Sequence, residues 1–265
     1  MHPTIDATSL IQRVQAGDIQ AVSRLMTLLE REDSDGVAVL RRLGPGPERA
    51  SAIGVTGYPG TGKSTLIDQL IAAYRRLGKK VGVLAIDVSS PLTGGAVLGD
   101  RVRMQRHAGD RSVFIRSMGT RGHRGGLAPS TRDAAVVLEA AGYEVILIET
   151  VGVGQNEVEI RGMAHAVIAI VAPGLGDDIQ AMKAGLLEVA DIIVVNKGDY
   201  EGADSTLRDL QAWHPHVLRT VAAKGEGVAE LIAAIAEHER MQDLGRRCAT
   251  SCADAYPNGR TSARA

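Results

Sequence analysis

The sequence predicts an α/β fold, a mostly parallel sheet with helices on both faces, preceded by a small helical extension. Three observations predict it. From residue 50 onward, short apolar segments alternate with amphipathic helical ones, the rhythm of βαβ units. Hydrophobic residues make up 45% of the 265 positions but aromatic ones only 3%, so Val, Ile, Leu and Ala must build the core, as in sheets buried on both faces. A glycine-rich turn, Gly57-Tyr58-Pro59-Gly60-Thr61-Gly62-Lys63-Ser64-Thr65, falls between the first strand and the first helix of that series.

Residues 1–46 read as the helical extension. Thr8 to Val14 and Ile19 to Leu29 carry apolar residues three and four apart, and Asp18 is placed to cap the second helix. Gly44-Pro45-Gly46-Pro47 ends the segment, which carries no evident chemistry and is expected to pack as a layer on the main domain. The main domain spans 47–240. Its strands are expected at Ala52–Thr56, Val81–Ile86, Val145–Glu149, Ala166–Val171, Ile192–Asn196 and, more weakly, Val217–Val221. Its helices are expected at Lys63–Leu77, Ser130–Ala141, Asp178–Val189, Ser205–Ala212 and Val228–Glu239. Residues 241–265, rich in Arg, Ser, Ala and Gly, read as a polar tail. In such a fold the crossovers are right-handed and ligands sit at the carboxyl ends of the strands. Chemically useful residues should therefore follow the strands.

The first of them does. Gly57 to Thr65 fits G-x-x-x-x-G-K-[ST], with a β-prone run before it and a helix after it. Glycines let backbone N–H groups turn inward around a phosphate chain, and the helix N-terminus adds its positive end. Lys63 can then reach the β- and γ-phosphates, and the Ser64 hydroxyl can ligate magnesium. The fold is that of a P-loop NTPase, and the ligand is a nucleoside triphosphate.

Asp87 ends the second strand and Glu149 ends the third. A carboxylate closing a hydrophobic strand needs compensation, which magnesium or a bridging water supplies. Gly152 and Gly154 follow Glu149 and permit close approach to a γ-phosphate and movement when it leaves. After the fifth strand, Asn196-Lys197-Gly198-Asp199 matches N-K-x-D. The Asp199 carboxylate can accept from N1 and N2 of guanine, whereas adenine would leave it unsatisfied. Lys197 would lie along the base and Asn196 would tie the loops together. Val221-Ala222-Ala223 falls where a backbone N–H could read guanine O6, a weak signal by itself. The nucleotide is expected to be GTP.

Residues 88–130 form a long connection with glycines at 119, 122, 125 and 126 and many arginines, among them Arg103, Arg106 and Arg116, with Arg132 just beyond it. Two readings stand for the arginines, a phosphate- or partner-facing switch and a solvated basic face. For Asp100 the switch reading, reaching the magnesium, is preferred. Pro173 to Lys183 contains a proline and two glycines before a helix that Asp177 or Asp178 could cap. It reads equally as a mobile loop or as a plain βα loop.

Composition excludes some classes. With 30 Lys and Arg against 31 Asp and Glu the formal net charge is −1, so no electrostatic case exists for nucleic acid or an anionic membrane. Cys248 and Cys252 have no ligating companions nearby, which points away from zinc and towards a reducing compartment. The first residues lack a secretory pattern, and no apolar run approaches the ~20 residues of a membrane span. A cytoplasmic protein is expected.

The motifs resemble those of the metallochaperone GTPases that serve adenosylcobalamin-dependent acyl-CoA mutases, the methylmalonyl-CoA mutase-associated family. The resemblance covers roughly residues 50–235. It rests on Leu84 to Asp87, Thr93 to Asp100, Gly119 to Thr131, Glu149-Thr150-Val151-Gly152-Val153-Gly154-Gln155, Pro173 to Gln180, and Asn196 to Asp199. It implies that Ser64, Asp87, Asp100 and Glu149 form the magnesium set, with Lys63 and Gln155 completing the catalytic residues. Residues 151–160 would be one switch. The stretch 174–188, with Asp177, Gln180 and Lys183, would report nucleotide state to the mutase. It further implies GTP, GDP and Mg2+ as ligands, adenosylcobalamin handled through the partner, a homodimer, and an adenosyltransferase as a further partner. The chain departs from the family in replacing the usual long dimerising arm by the polar 241–265 tail. It also has Gly198 where Ala is common, a change expected to be minor. Two rivals remain, a P-loop kinase linked to amino acid transport and a nickel-insertion GTPase. Neither the acceptor pocket of the first nor the Cys/His tract of the second is evident.

Overall fold

The computed structural model describes residues 6–44, 46–47, 49–87, 105–119, 127, 130–150, 157–174 and 189–255, with the side chains of 87, 105, 157, 158 and 245–255 outside that description. Three helices open the chain: α1 (Ala7–Gln15), α2 (Ile19–Glu30) and α3 (Ser34–Leu43). Asp18 caps α2 as expected, its Oδ1 accepting from the N–H groups of Gln20 at 2.8 Å and Ala21 at 3.2 Å. The sequence reading missed α3, whose interior holds Gly36. It is nonetheless started by Asp33, which accepts from the Asp35 N–H at 2.9 Å.

The remaining elements follow in order: β1 (Ser51–Gly57), α4 (Lys63–Arg76), β2 (Val81–Asp87), β3 (Val113–Gly119), α5 (Thr131–Ala140), β4 (Val145–Glu149), α6 (Glu157–Arg161), β5 (Ala166–Val171), β6 (Ile192–Val195), α7 (Ala203–Gln211), β7 (Val217–Arg219) and α8 (Val228–Ala255). The seven strands make one sheet in the order β3-β2-β4-β1-β5-β6-β7, and every pairing is parallel. Helix α4, which follows β1, packs on one face of the sheet, and Ile160 of α6, which follows β4, packs on the other. That is the arrangement that opens a crevice at the carboxyl ends of the central strands.

Alternation of side chains sends the sheet into two cores. Ile53, Val55, Val83 and Leu147 face α4 and α8, together with Leu66, Leu70 and Leu231. On the opposite face Leu84, Ile86, Ile146 and Ile148 pack with α5 and with Val14, Leu25 and Met26 of the opening helices. The N-terminal helices thus share a core with the sheet. A smaller cluster joins β5 and β6 to Leu210 of α7.

Two differences from the sequence reading stand out. Strand β3 lies inside the stretch read as one long connection, where Arg116 interrupts an otherwise β-prone run. Its guanidinium is tied to Glu30 of α2 at 2.8 and 3.0 Å and to the Thr27 hydroxyl at 3.0 Å. Arg106 is likewise held by Asp68 of α4, and Arg132 donates to the Gly162 carbonyl at 3.1 Å. These three arginines tie elements of the fold together. The second difference is α8. The expected end near Glu239 is absent, and the helix runs through Ala255, because Arg, Met, Gln, Leu and Ala keep backbone propensity high whatever their polarity. The tail expected over 241–265 is therefore helical as far as Ala255. Among the described residues no helix is long and apolar enough to cross a membrane.

Candidate nucleotide site

The glycine-rich turn begins inside β1 and ends in α4. Gly57 closes the strand, Pro59 and Gly60 form an exposed tip, and Tyr58 leans on the small core beside α7. Thr61 is buried, its hydroxyl donating to the Tyr58 carbonyl at 2.8 Å. Gly62 takes the position before α4 with φ of 93°. A Cβ there would lie 2.4 Å from Asn196 Nδ2, so conformation and space both require glycine. Lys63 Nζ donates to the Gly57 carbonyl at 2.7 Å and to that of Tyr58 at 3.3 Å, folding the ammonium across its own loop. Ser64 is buried, while Thr65 is exposed on the first turn of α4.

Two buried polar contacts bring distant strand ends to this loop. The Ser64 hydroxyl donates to Glu149 Oε1 at 3.0 Å, joining the start of α4 to the end of β4; Glu149 is 3% exposed. Asn196, 2% exposed, uses both ends of its amide: Nδ2 donates to the Thr61 carbonyl at 2.8 Å, and Oδ1 accepts from the Thr220 hydroxyl at 3.1 Å and the Ala222 N–H at 3.0 Å. One side chain thereby joins the phosphate-type loop, the end of β6 and the turn after β7. Lys197 has φ of 55°, unusual for a residue with a side chain, and its Nζ lies 5.7 Å from the Tyr200 ring centroid.

Asp199 follows, with Lys224 Nζ 2.9 Å from its Oδ2. The hydrogen bond from Lys224 holds the Asp199 carboxyl below its ordinary range, and Arg219 adds a weaker effect of the same sign. Lys224 was not among the expected site residues, although its signal lay next to the run Val221-Ala222-Ala223. Of that run, the Val221 N–H donates to the Glu226 carbonyl at 3.1 Å and the Ala222 N–H to Asn196. Both donors are engaged within the protein.

The structure thus assembles Gly57 to Thr65, Glu149, Asn196 to Asp199 and 221–224 at the carboxyl ends of β1, β4, β6 and β7. Asp87 ends β2 on the same edge of the sheet, with its side chain outside the described part. Asp100, Gly152, Gly154, Gln155, Asp177, Gln180 and Lys183 all lie outside the described residues.

Comparison with known proteins agrees with this geometry. The family model for "Methylmalonyl Co-A mutase-associated GTPase MeaB" matches residues 22–254. A Pyrococcus horikoshii relative, also named as a GTPase, is 50% identical over 251 residues, covering 89% of this chain and 79% of that one. The Escherichia coli GTPase ArgK is 39% identical over 243 residues, 85% of this chain and 73% of its own. A mouse protein, "Methylmalonic aciduria type A homolog, mitochondrial", is 38% identical over 193 residues, 68% of this chain but 46% of the mouse protein. Among solved structures, one named LAO/AO transport system kinase superposes with a TM-score of 0.65 at 26% identity, covering 96% of this chain and 86% of that one. The hydrogenase maturation factor HypB of Archaeoglobus fulgidus, at 0.53 and 21% identity over 82% of this chain and 98% of its own, shares the fold. The chain belongs to the methylmalonyl Co-A mutase-associated GTPase family, and it is a P-loop enzyme that hydrolyses GTP.

Proposed function

We propose that this GTPase is a metallochaperone, gating adenosylcobalamin delivery to a cobalamin-dependent acyl-CoA mutase in the cytoplasm and helping to protect or reactivate that enzyme. The observation that carries the reading is the family match over residues 22–254, whose description names association with such a mutase. In this reading the cofactor is held by the partner, a cobalamin adenosyltransferase is a further partner, and the chain works as a homodimer. Residues 151–160 and 174–188, with Gly152, Gly154, Gln155, Asp177, Gln180 and Lys183, carry nucleotide state to the mutase.

The site's chemistry supports hydrolysis in the following way. Backbone N–H groups of Gly57 to Thr65 cradle the phosphates, and Lys63 swings from its present carbonyl partners to the β- and γ-phosphate oxygens. The Ser64 hydroxyl and Glu149 carboxylate, 3.0 Å apart and both buried, are the hard oxygen donors that Mg2+ prefers. Asp87 and Asp100 would complete its surroundings. When bound, the ion neutralises charge building on the phosphate oxygens. Gln155 would orient the attacking water. Asp199 reads guanine N1 and N2 while Lys197 lies along the base. With the Val221 and Ala222 donors engaged, the O6 contact falls to the Ala223 N–H. Selection of guanine at N-K-x-D disfavours the kinase alternative, even though one similar structure bears a kinase name.

The test is the hydrolysis rate for GTP, with ATP as control, alone and titrated with an acyl-CoA mutase from the same organism. Stimulation with GTP only is expected. A rate indifferent to every such mutase would overturn the chaperone reading and leave the GTPase intact.

A further inference from the structure

We propose that Arg219 is a positioning residue for guanine selection, and that Gly198 is the residue that admits it. The proposal rests on the reading of Asp199 as the guanine reader. Gly198 sits one residue before Asp199, its N–H donating to the Thr220 carbonyl at 2.9 Å. A Cβ built on Gly198 would stand 2.5 Å from Arg219 Cγ, 2.6 Å from its Nε and 3.0 Å from its Cδ. The Arg219 stem therefore lies across position 198, in the space where an alanine methyl would go. At its far end, one guanidinium nitrogen donates to the Gly198 carbonyl and the other to Asp204 Oδ1 at 2.8 Å, in the first turn of α7.

One side chain thus spans the loop that carries Asp199, gripping the peptide just before it and the helix just after it. The ion pair with Asp204 is exposed and adds little energy by itself. The stem packing and the bond to the carbonyl set the geometry. That carbonyl belongs to the peptide joining Gly198 to Asp199, so releasing it lets the carboxylate tip. Guanine demands two N–H donors on one carboxylate, and a tipped carboxylate keeps one of them. Position 198, expected to be a minor departure because its side chain avoids the base, instead affects base selection through Arg219.

The experiment compares binding of GDP with that of inosine diphosphate, whose base keeps N1–H and lacks the N2 amine, by calorimetry. Arg219→Ala should weaken GDP by roughly five- to tenfold, the worth of about one hydrogen bond, and inosine diphosphate by much less. Gly198→Ala should push the Arg219 stem aside and give the same loss of the GDP preference. The double variant should be no worse than the more severe single. Arg219→Lys, which keeps the stem and a cation, should fall between. Equal losses for the two nucleotides, or additive effects of Gly198→Ala and Arg219→Ala, would overturn the proposal. If Arg219→Ala does not fold, Gly198→Ala and Arg219→Lys carry the same comparison. Asp199→Asn separates the layers: GDP affinity unchanged in that variant defeats the reading of Asp199 itself. A loss there with Arg219→Ala indistinguishable from wild type defeats only the role of Arg219.

Discussion

The two ends of the sheet hold similar groups put to different use. At the carboxyl end Ser64 meets Glu149, and Asn196 binds Thr61, Thr220 and Ala222, so each contact crosses between loops that follow different strands. At the amino end Ser51 donates to Glu239, the Ala52 N–H donates to His165 Nδ1 at 2.9 Å, and Asp191 accepts from the Val167 N–H while pairing with Arg161. A cavity of about 150 Å3 opens there between Arg49, Ser51, His165, Glu239 and Asp243. The contacts at this lower end anchor α8 and the strand beginnings. Those at the upper end hold in place a glycine turn, with its lysine, that can accept phosphate. Buried polar side chains alone thus do not mark a site. What distinguishes the upper end is that they converge on a glycine turn at a helix N-terminus.

If that division is right, variants of the upper end should lose activity with little loss of stability. Lys63→Ala should give the largest effect, a fall in kcat/KM for GTP of roughly 10²–10³, the usual consequence of removing one preorganised charge-stabilising group. Its melting temperature should stay close to that of wild type, because the lysine and its bonds to the Gly57 and Tyr58 carbonyls are only partly buried. A matching drop in melting temperature would erase the contrast between the two ends.

Asn196→Ala should blur the contrast. It leaves the Thr61 carbonyl, the Thr220 hydroxyl and the Ala222 N–H without their partner in a buried setting, which should lower unfolding free energy by about 1–3 kcal/mol. Nucleotide affinity should fall with it. Chemical denaturation and GDP titration of the same preparation check both, and a stable variant with normal affinity would show that the loops are held by other means.

Much of the upper end is readable from sequence because its residues sit at strand ends in fixed local patterns. Gly57 to Thr65 and Asn196 to Asp199 are contiguous, and the strand–loop–helix context that gives them meaning is contiguous too. Strand β3 was not legible, since Arg116 looks like a surface residue until Glu30, far away in the chain, is seen to receive it. The continuation of α8 was hidden by reading polarity as the end of the helix, though a helix needs backbone propensity and one packed stripe. Lys224 and Arg219 were missed because their partners, Asp199 and Gly198, come from another strand end; only pairing of β6 with β7 brings them together. Local chemistry is written locally, whereas contacts made by the sheet order are not.

The lower end offers the opposite signature. Burial pushes the Glu239 carboxyl above its ordinary value of 4.5, with the neighbouring Asp243 adding to the rise, and the bond from Ser51 and the charges of His238 and Arg49 only partly offset this. For an acid raised in this way the fold disfavours the ionised form. The penalty is complete above the folded value, fades as pH falls through it, and is gone below the unfolded value. Glu239→Gln should therefore melt slightly higher than wild type at pH 8, by less than Asn196→Ala loses, with the advantage vanishing on acidification. GTP hydrolysis should be unchanged. A variant less stable than wild type at pH 8 would mean that the carboxylate's contacts outweigh its burial.

The smallest expected effect lies in the upper end and concerns pH. Lys224 keeps Asp199 ionised below the ordinary carboxylate range, so binding that needs the carboxylate persists as pH falls through that range and is lost only below it. Lys224→Ala should return Asp199 towards its ordinary value and move the acid loss of GDP affinity to higher pH. Titration of the nucleotide's own phosphates is common to both proteins and cancels in the comparison. Because the pair is partly exposed, added salt should draw the two acid limbs together. Coincident limbs at low salt would mean that Lys224 leaves Asp199 unaffected, and that the upper end relies on geometry alone.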